Sequence, residues 1–187
     1  MLSGAGADEW FAGYNRHKAF LYYLRSDLLK DHPNTLKGVA TILPTGIDHP
    51  FRKPFQLTKK FLENLDSNAQ TTYLNFLRFK YFNSDSQSDE VPTDDLFKWV
   101  LDHDRSHYLV DDVLMLGDQS SMRNSIEMRM PFLDNELTSY IGLFNQEALL
   151  DNGKKWILKS ILNKYGGSEY AQRPKEGFGL PTGKWLH

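Results

Sequence analysis

Apolar residues recur along most of this chain at the three- and four-residue spacing of a helix, and strict alternation is almost absent. Between Glu9 and Leu29 the residues Trp10, Phe11, Tyr14, Phe20, Leu21, Leu24 and Leu28 trace one stripe, which predicts a helix over that span. Residues 34–51 follow Pro33 and hold Gly38, Pro44, Gly46 and Pro50, so they read as loop or short turns. A short helix over Lys53–Leu65 comes next. Ser67, with Gln70 three residues on, has the form of a capping box. It would open a helix to about Phe82, with Tyr73, Leu74, Phe76, Leu77 and Tyr81 as its apolar face.

Asn83–Glu90, NSDSQSDE, is the most linker-like stretch. Thr93 is placed to cap a helix through Leu101 or His103. Ser106–Ser125 reads as a further helix, interrupted near Gly117, and Pro131 should end any helix that reaches Met130. Asp134 caps a short helix to about Phe144. Gly153–Tyr165 forms another, with Trp156, Ile157, Ile161 and Leu162 inward and Gly166 as its stop. Arg173–Pro181 is a rigid Pro/Gly loop. Valine is scarce and no internal repeat is present, so the expectation is a mostly α domain.

Composition narrows the class. The chain has 187 residues, 40% hydrophobic and 25% charged, enough for one domain with a sizeable core. A net charge of -2 and a pI near 6.3 give no broad pull on nucleic acid or acidic membranes. No cysteine is present, which excludes disulfides, thiolate catalysis and cysteine metal sites. The start, MLSGAGADEW, has neither the basic nor the apolar part of a signal peptide, and no apolar run approaches a membrane span. A soluble cytoplasmic protein with no nucleic-acid and no membrane partner is expected.

Three segments offer chemistry, each with a plain structural alternative. In SGAGADE, Ser3–Glu9, Gly4 and Gly6 let backbone approach a ligand, and Asp8 and Glu9 sit where a cation could bridge to phosphate. The alternative is a flexible start before an acidic helix turn. In DQSSMRNSIEMRMPFLD, Asp118–Asp134, Arg129 offers a planar fork for phosphate or carboxylate, held by Glu127; the alternative is a structural ion pair. In RPKEGFGLPTGKWL, Arg173–Leu186, Lys175 is a cation on a rigid support; the alternative is a solvated surface loop. His103 and His107 form an isolated pair at helical spacing, short of a zinc ligand set. RFKYF, Arg78–Phe82, interleaves basic and aromatic residues but reads as two faces of an amphipathic helix. The neighbours Asp111 and Asp112 diverge on a helix and form no catalytic pair.

Order and spacing make these segments specific together. Ser3–Tyr14, YLVDDVL (Tyr108–Leu114), D-x-x-SM (Asp118–Met122), IEMRMPFLD (Ile126–Asp134) and RPKEGFGLP (Arg173–Pro181) resemble the glutamine-dependent asparagine synthetase family, with Leu28–Glu90 the least similar part. The resemblance implies the helical C-terminal portion of an α/β synthetase domain of the pyrophosphate-loop type, with the sheet largely missing. It implies ATP and magnesium as cofactors, and a small-molecule carboxylate partner that is adenylated on the α-phosphate. Ammonia from a glutaminase domain then displaces AMP. By position, Ser3 and Gly4 would contact the pyrophosphate or substrate region, Asp8 would be a magnesium ligand, and Lys175 and Arg129 would face the phosphates.

The sequence departs from that pattern at several points. The SGG-x-DS loop, its strands and the glutaminase cysteine are absent from these residues. Ala5 replaces the family's acid, which is thought to take a proton from the incoming amine, and Gln119 replaces a common Arg. The expectation is a fragment truncated at both ends, inactive alone, exposing Trp10 and Phe11. It would need the missing N-terminal half as partner. A non-catalytic helical module that docks onto a partner is the alternative. Relatives amidate aspartate, close β-lactam rings or modify sugar acids, and no residue here selects among these substrates.

Overall fold

The apolar stripe between Glu9 and Leu29 folds in three pieces rather than as one helix. The computed structural model describes residues 1–44, 52–77 and 95–173. Helix α1 is a single turn, Ala7–Trp10, followed by α2 (Asn15–Leu24) and α3 (Asp27–Asp31). The first break falls at Ala12, which is left-handed at φ 49°. All three pieces keep residues in one core, so the periodicity persists through the breaks. Pro33 opens α4 (Pro33–Ile42) where a loop was expected. A proline at a first helical position gives up an N–H that has no helical partner anyway, so it starts helices as readily as it stops them.

Helix α5 (Arg52–Glu63) matches the sequence pattern closely. Helix α6 (Ala69–Leu77) is capped by Asn68 rather than Ser67: the Thr71 N–H donates to Asn68 Oδ1 at 3.0 Å. Helix α7 (Leu96–His103) is capped by Asp95, whose Oδ1 accepts from the Lys98 N–H at 2.8 Å. Thr93, the NSDSQSDE stretch and RFKYF lie outside the described residues. From His103 the chain continues as a π-helix, Asp104–Leu114, and then as α8 (Met115–Met122). The expected interruption near Gly117 is therefore a change of helix type at Leu114. Asp134 caps α9 (Asn135–Gly142) as expected, accepting from Glu136 and Leu137 N–H at 3.0 and 3.1 Å.

The chain divides into two compact units, Met1–Lys155 and Trp156–His187. The second holds α10 (Trp156–Gly166) and the four-residue α11 (Ser168–Ala171), which pack on each other. Helix α10 starts later than the sequence pattern suggests, because Gly153 and Lys155 are left-handed at φ 91° and 54°. Ile161 and Leu162 are 51% and 43% exposed rather than inward, since so short a partner cannot cover the whole stripe. Among the described residues, no helix is long and apolar enough to cross a membrane. One parallel bridge, Leu2 with Arg129, is their only isolated β-pairing.

The first unit is organised around aromatic side chains and the buried acid Asp104. Phe20 stacks on Tyr23 at 5.8 Å and meets Tyr73 edge-on at 5.3 Å, and Tyr73 continues to Trp99 at 6.0 Å. Beside them the Asp104 carboxylate is fully buried. Its Oδ2 accepts from Arg16 Nε at 3.0 Å, from Arg16 Nη2 at 2.7 Å and from His17 Nε2 at 2.8 Å. Burial would raise the Asp104 carboxyl, but the His17 hydrogen bond and the Arg16 charge hold it below its ordinary 3.8. Burial pushes His17 below its ordinary 6.5 against the pull of Asp104. The imidazole is thus neutral with its proton on Nε2, and Nδ1 is a buried acceptor with no hydrogen-bond partner among the described residues.

Below about pH 6.5 the unfolded chain protonates His17 while the folded chain resists, so stability falls with pH in that window. Urea unfolding between about pH 7.5 and about pH 5.5 should show it, and His17→Gln should remove up to roughly 1.4 kcal/mol per pH unit of slope. The Asp104 contribution persists lower, present above its unfolded 3.8 and lost only as pH falls through its depressed folded value. Asp104→Ala strands the Arg16 guanidinium and should cost about 3–5 kcal/mol in the same assay at neutral pH.

Candidate functional site

The extended start of the chain lies against the segment that carries Arg129. The Ser3 N–H donates to the Arg129 C=O at 2.8 Å, and the Arg129 N–H donates to the Met1 C=O at 2.8 Å. Ser125, left-handed at φ 54°, turns the chain from α8 into this segment. Ser3, Gly4 and Arg129 are thereby brought together, although the sequence separates them widely. The Ser3 hydroxyl accepts from the Ala5 N–H at 3.2 Å and holds the turn that follows. Gly6 has φ 89°, and a Cβ there would lie 2.4 Å from Leu133 Cδ2, so only glycine lets the PFLD segment close over the turn.

Asp8 projects from the single turn of α1 and meets Lys155, with Nζ 2.9 Å from Oδ1. The two side chains are 25% and 19% exposed, Lys155 first. Lys154 donates to Asn15 Oδ1 alongside, so two consecutive lysines tie this loop to the start of α2. Gly13 makes the approach possible, since a Cβ there would lie 2.0 Å from Asp8 Oδ1 and 2.3 Å from Lys155 Cε. The neighbouring Glu9 is buried and accepts from the Tyr14 hydroxyl at 2.5 Å. Burial, then that hydrogen bond, pushes the Tyr14 phenol far above its ordinary range, so it stays a donor.

Trp10 and Phe11 are not left bare, contrary to the sequence expectation. Phe11 is 4% exposed and meets Phe132 edge-on at 6.2 Å, and the Arg105 guanidinium lies 3.9 Å from the Trp10 ring centre. The PFLD segment and the π-helix provide the cover.

Arg129 Nη2 pairs with Glu127 Oε1 at 2.7 Å, and both side chains are mostly exposed. The guanidinium is held by Glu127, as either sequence reading allowed, and such an exposed pair adds little to stability. Lys175 and the rest of RPKEGFGLP beyond Arg173 lie outside the described residues. Sequence reasoning missed Lys155. Its one signal was the Lys154–Lys155 doublet next to Gly153, which the helical stripe of Trp156 and Ile157 absorbed. No local pattern announces that a lysine will meet an acid far earlier in the chain.

Gly13→Ala should be destabilising by about 1–3 kcal/mol, because the new methyl must displace the Asp8–Lys155 pair or the backbone beneath it. Chemical denaturation measures the loss. An unchanged midpoint would mean that the pair moves aside freely.

The family model described as asparagine synthase matches residues 1–187. Asparagine synthetase [glutamine-hydrolyzing] 1 of Bacillus subtilis is 26% identical over 210 residues, covering 99% of this chain and 31% of that protein. Putative asparagine synthetases [glutamine-hydrolyzing] of Mycobacterium bovis and Mycobacterium tuberculosis are each 27% identical over 208 residues, covering 100% of this chain and 30% of theirs. The chain thus spans about 30% of the length of these relatives. No solved structure matches it.

Proposed function

Since the chain belongs to the asparagine synthase family, we propose that it forms the helical part of an ATP-dependent amide-forming site. The reading rests on one observation above the others: the Ser3–Gly4 turn, the Arg129 segment and the Asp8–Lys155 pair are gathered in a single unit. In the reaction, a substrate carboxylate attacks the α-phosphate of ATP and pyrophosphate leaves. Ammonia then attacks the acyl carbon, and AMP departs with the amide formed.

The residues fit phosphate and magnesium in a limited way. Among the described residues, no group of three or more His, Asp or Glu could hold a metal ion. Magnesium needs no such cage when substrate phosphates complete its shell, and one or two carboxylates suffice. Asp8 is the carboxylate that would hold it, and magnesium bound there would neutralise phosphate charge. Ser3 offers its hydroxyl and Gly4 its backbone N–H to the pyrophosphate, since the Ser3 N–H is held by Arg129. Lys155 neutralises Asp8 in the free chain and presents its ammonium to the same phosphates. Arg129 supplies further positive charge where negative charge develops in the transition state, and the family resemblance assigns the same role to Lys175. Ala5 has no acid or base, so no proton is taken from the incoming amine at that position.

The chain by itself should form neither AMP nor amide from ATP, magnesium, aspartate and ammonia, because nothing in it matches the SGG-x-DS loop. Formation of both products by the purified chain would overturn that. It should still bind magnesium pyrophosphate weakly, and Lys155→Met or Lys175→Ala should each weaken binding by about tenfold, read by calorimetry. Affinity unchanged from that of the unsubstituted chain in both variants would remove these lysines from the site.

A further inference from the structure

A second constellation lies elsewhere in the first unit. Lys60, Phe76, Leu77, His107, Asp111 and Asp112 line an open cleft of about 580 Å³. Its size falls in the range of small-molecule pockets. None of Ser3, Gly4, Asp8, Arg129 or Lys155 lines it, so it is separate from the amide-forming site.

The cleft carries charge of both signs. Lys60, on α5, has no carboxylate at ion-pairing distance among the described residues, and neither Asp111 nor Asp112 has a cation there. Lys60 and the two acids face one cleft without pairing across it. Arg16 also lines the cleft, but its charge is committed to Asp104 and it lies over the Tyr14 and Tyr108 rings at 3.9 and 4.5 Å. His103 and His107 stack at 4.5 Å, and burial followed by the His107 charge keeps His103 below its ordinary 6.5. Of the described lysines and arginines that line the cleft, Lys60 is thus the one whose charge is not committed to a carboxylate.

Asp111 and Asp112 were expected to diverge, as neighbours on an α-helix do. Both line the cleft from the π-helix, whose turn is wider than that of an α-helix. Such segments recur at functional sites. Phe76 and Leu77 complete the lining with apolar surface.

A zwitterion meets the cleft's charges of both signs, where a ligand of one charge would meet only one of them. A bare metal ion would leave Lys60 and the apolar wall unused. We propose that this cleft binds a free α-amino acid with an apolar side chain. Its carboxylate is held by Lys60, its ammonium by Asp111 and Asp112, and its side chain by Phe76 and Leu77.

The test is calorimetric titration of the whole chain, without nucleotide, using L-phenylalanine, 3-phenylpropionate and phenethylamine as probes. L-Phenylalanine should bind, and each single-charge analogue should bind at least about tenfold more weakly. Lys60→Met and Asp111→Asn should each weaken L-phenylalanine by about tenfold with an unchanged circular dichroism spectrum, since both side chains are exposed. No binding of L-phenylalanine, equal binding of the analogues, or unchanged affinity in both variants would each overturn the proposal. With no nucleotide present, any of these failures leaves magnesium pyrophosphate binding as a separate result.

Discussion

One oxygen of Asp104 collects three donors from two consecutive residues, Arg16 and His17, and the rest of the first unit is arranged around that meeting. A carboxylate this deeply buried is tolerable only with charge-assisted partners, because the lost hydration is worth several kcal/mol. The contact fixes α2 against the end of α7 and the beginning of the π-helix. Arg16 also donates to the Tyr73 hydroxyl at 3.2 Å, which brings α6 into the same cluster. The arrangement is not fully satisfied: Asp104 Oδ1 and His17 Nδ1 lack hydrogen-bond partners among the described residues. An unsatisfied acceptor beside a buried ion makes the cluster sensitive to protonation as well as to mutation.

From this cluster a line of contacts leads to the candidate site. Tyr14 lies edge-on to His17 at 5.3 Å and to Tyr108 at 5.6 Å, and its hydroxyl holds the buried Glu9. Glu9 is the neighbour of Asp8, so the position of that carboxylate is inherited from the core. Left-handed backbone falls in the same places: Ala12 before Gly13, Ser125 before the Arg129 segment, and Lys155 itself are the non-glycine residues with positive φ among those described. Such conformations persist only where surrounding contacts over-determine them, and here they aim Asp8, Arg129 and Lys155.

Much of the architecture was legible in the chain. The helical class, the Asp134 cap and the helix over Arg52–Glu63 follow from periodicity and side-chain chemistry that act within a few residues. The motifs that resemble asparagine synthetases identified the family, and Ser3, Gly4, Asp8 and Arg129 could be named from them. Where local signals competed, neighbours won: Asn68 rather than Ser67 capped α6, and Pro33 began a helix where it read as a break. Both outcomes turn on one hydrogen bond or one residue of offset, which sequence preference alone does not resolve.

Tertiary structure decided what local chemistry had no means to express. The Asp8–Lys155 pair, the three donors on Asp104 and the backbone bonds between Ser3 and Arg129 join residues far apart in the chain. Each depends on where packed helices place their ends, and no spacing rule encodes that. The π-helical winding of the segment that carries Asp111 and Asp112 follows the same logic, since an i→i+5 ladder differs from an α-helix by backbone bonds and not by residue type. The sequence by itself determined the helical class of the domain and the family it belongs to, because both are written in short-range patterns. The geometry of charge came only with the fold, because the low dielectric that makes those pairs matter exists only once the core has formed.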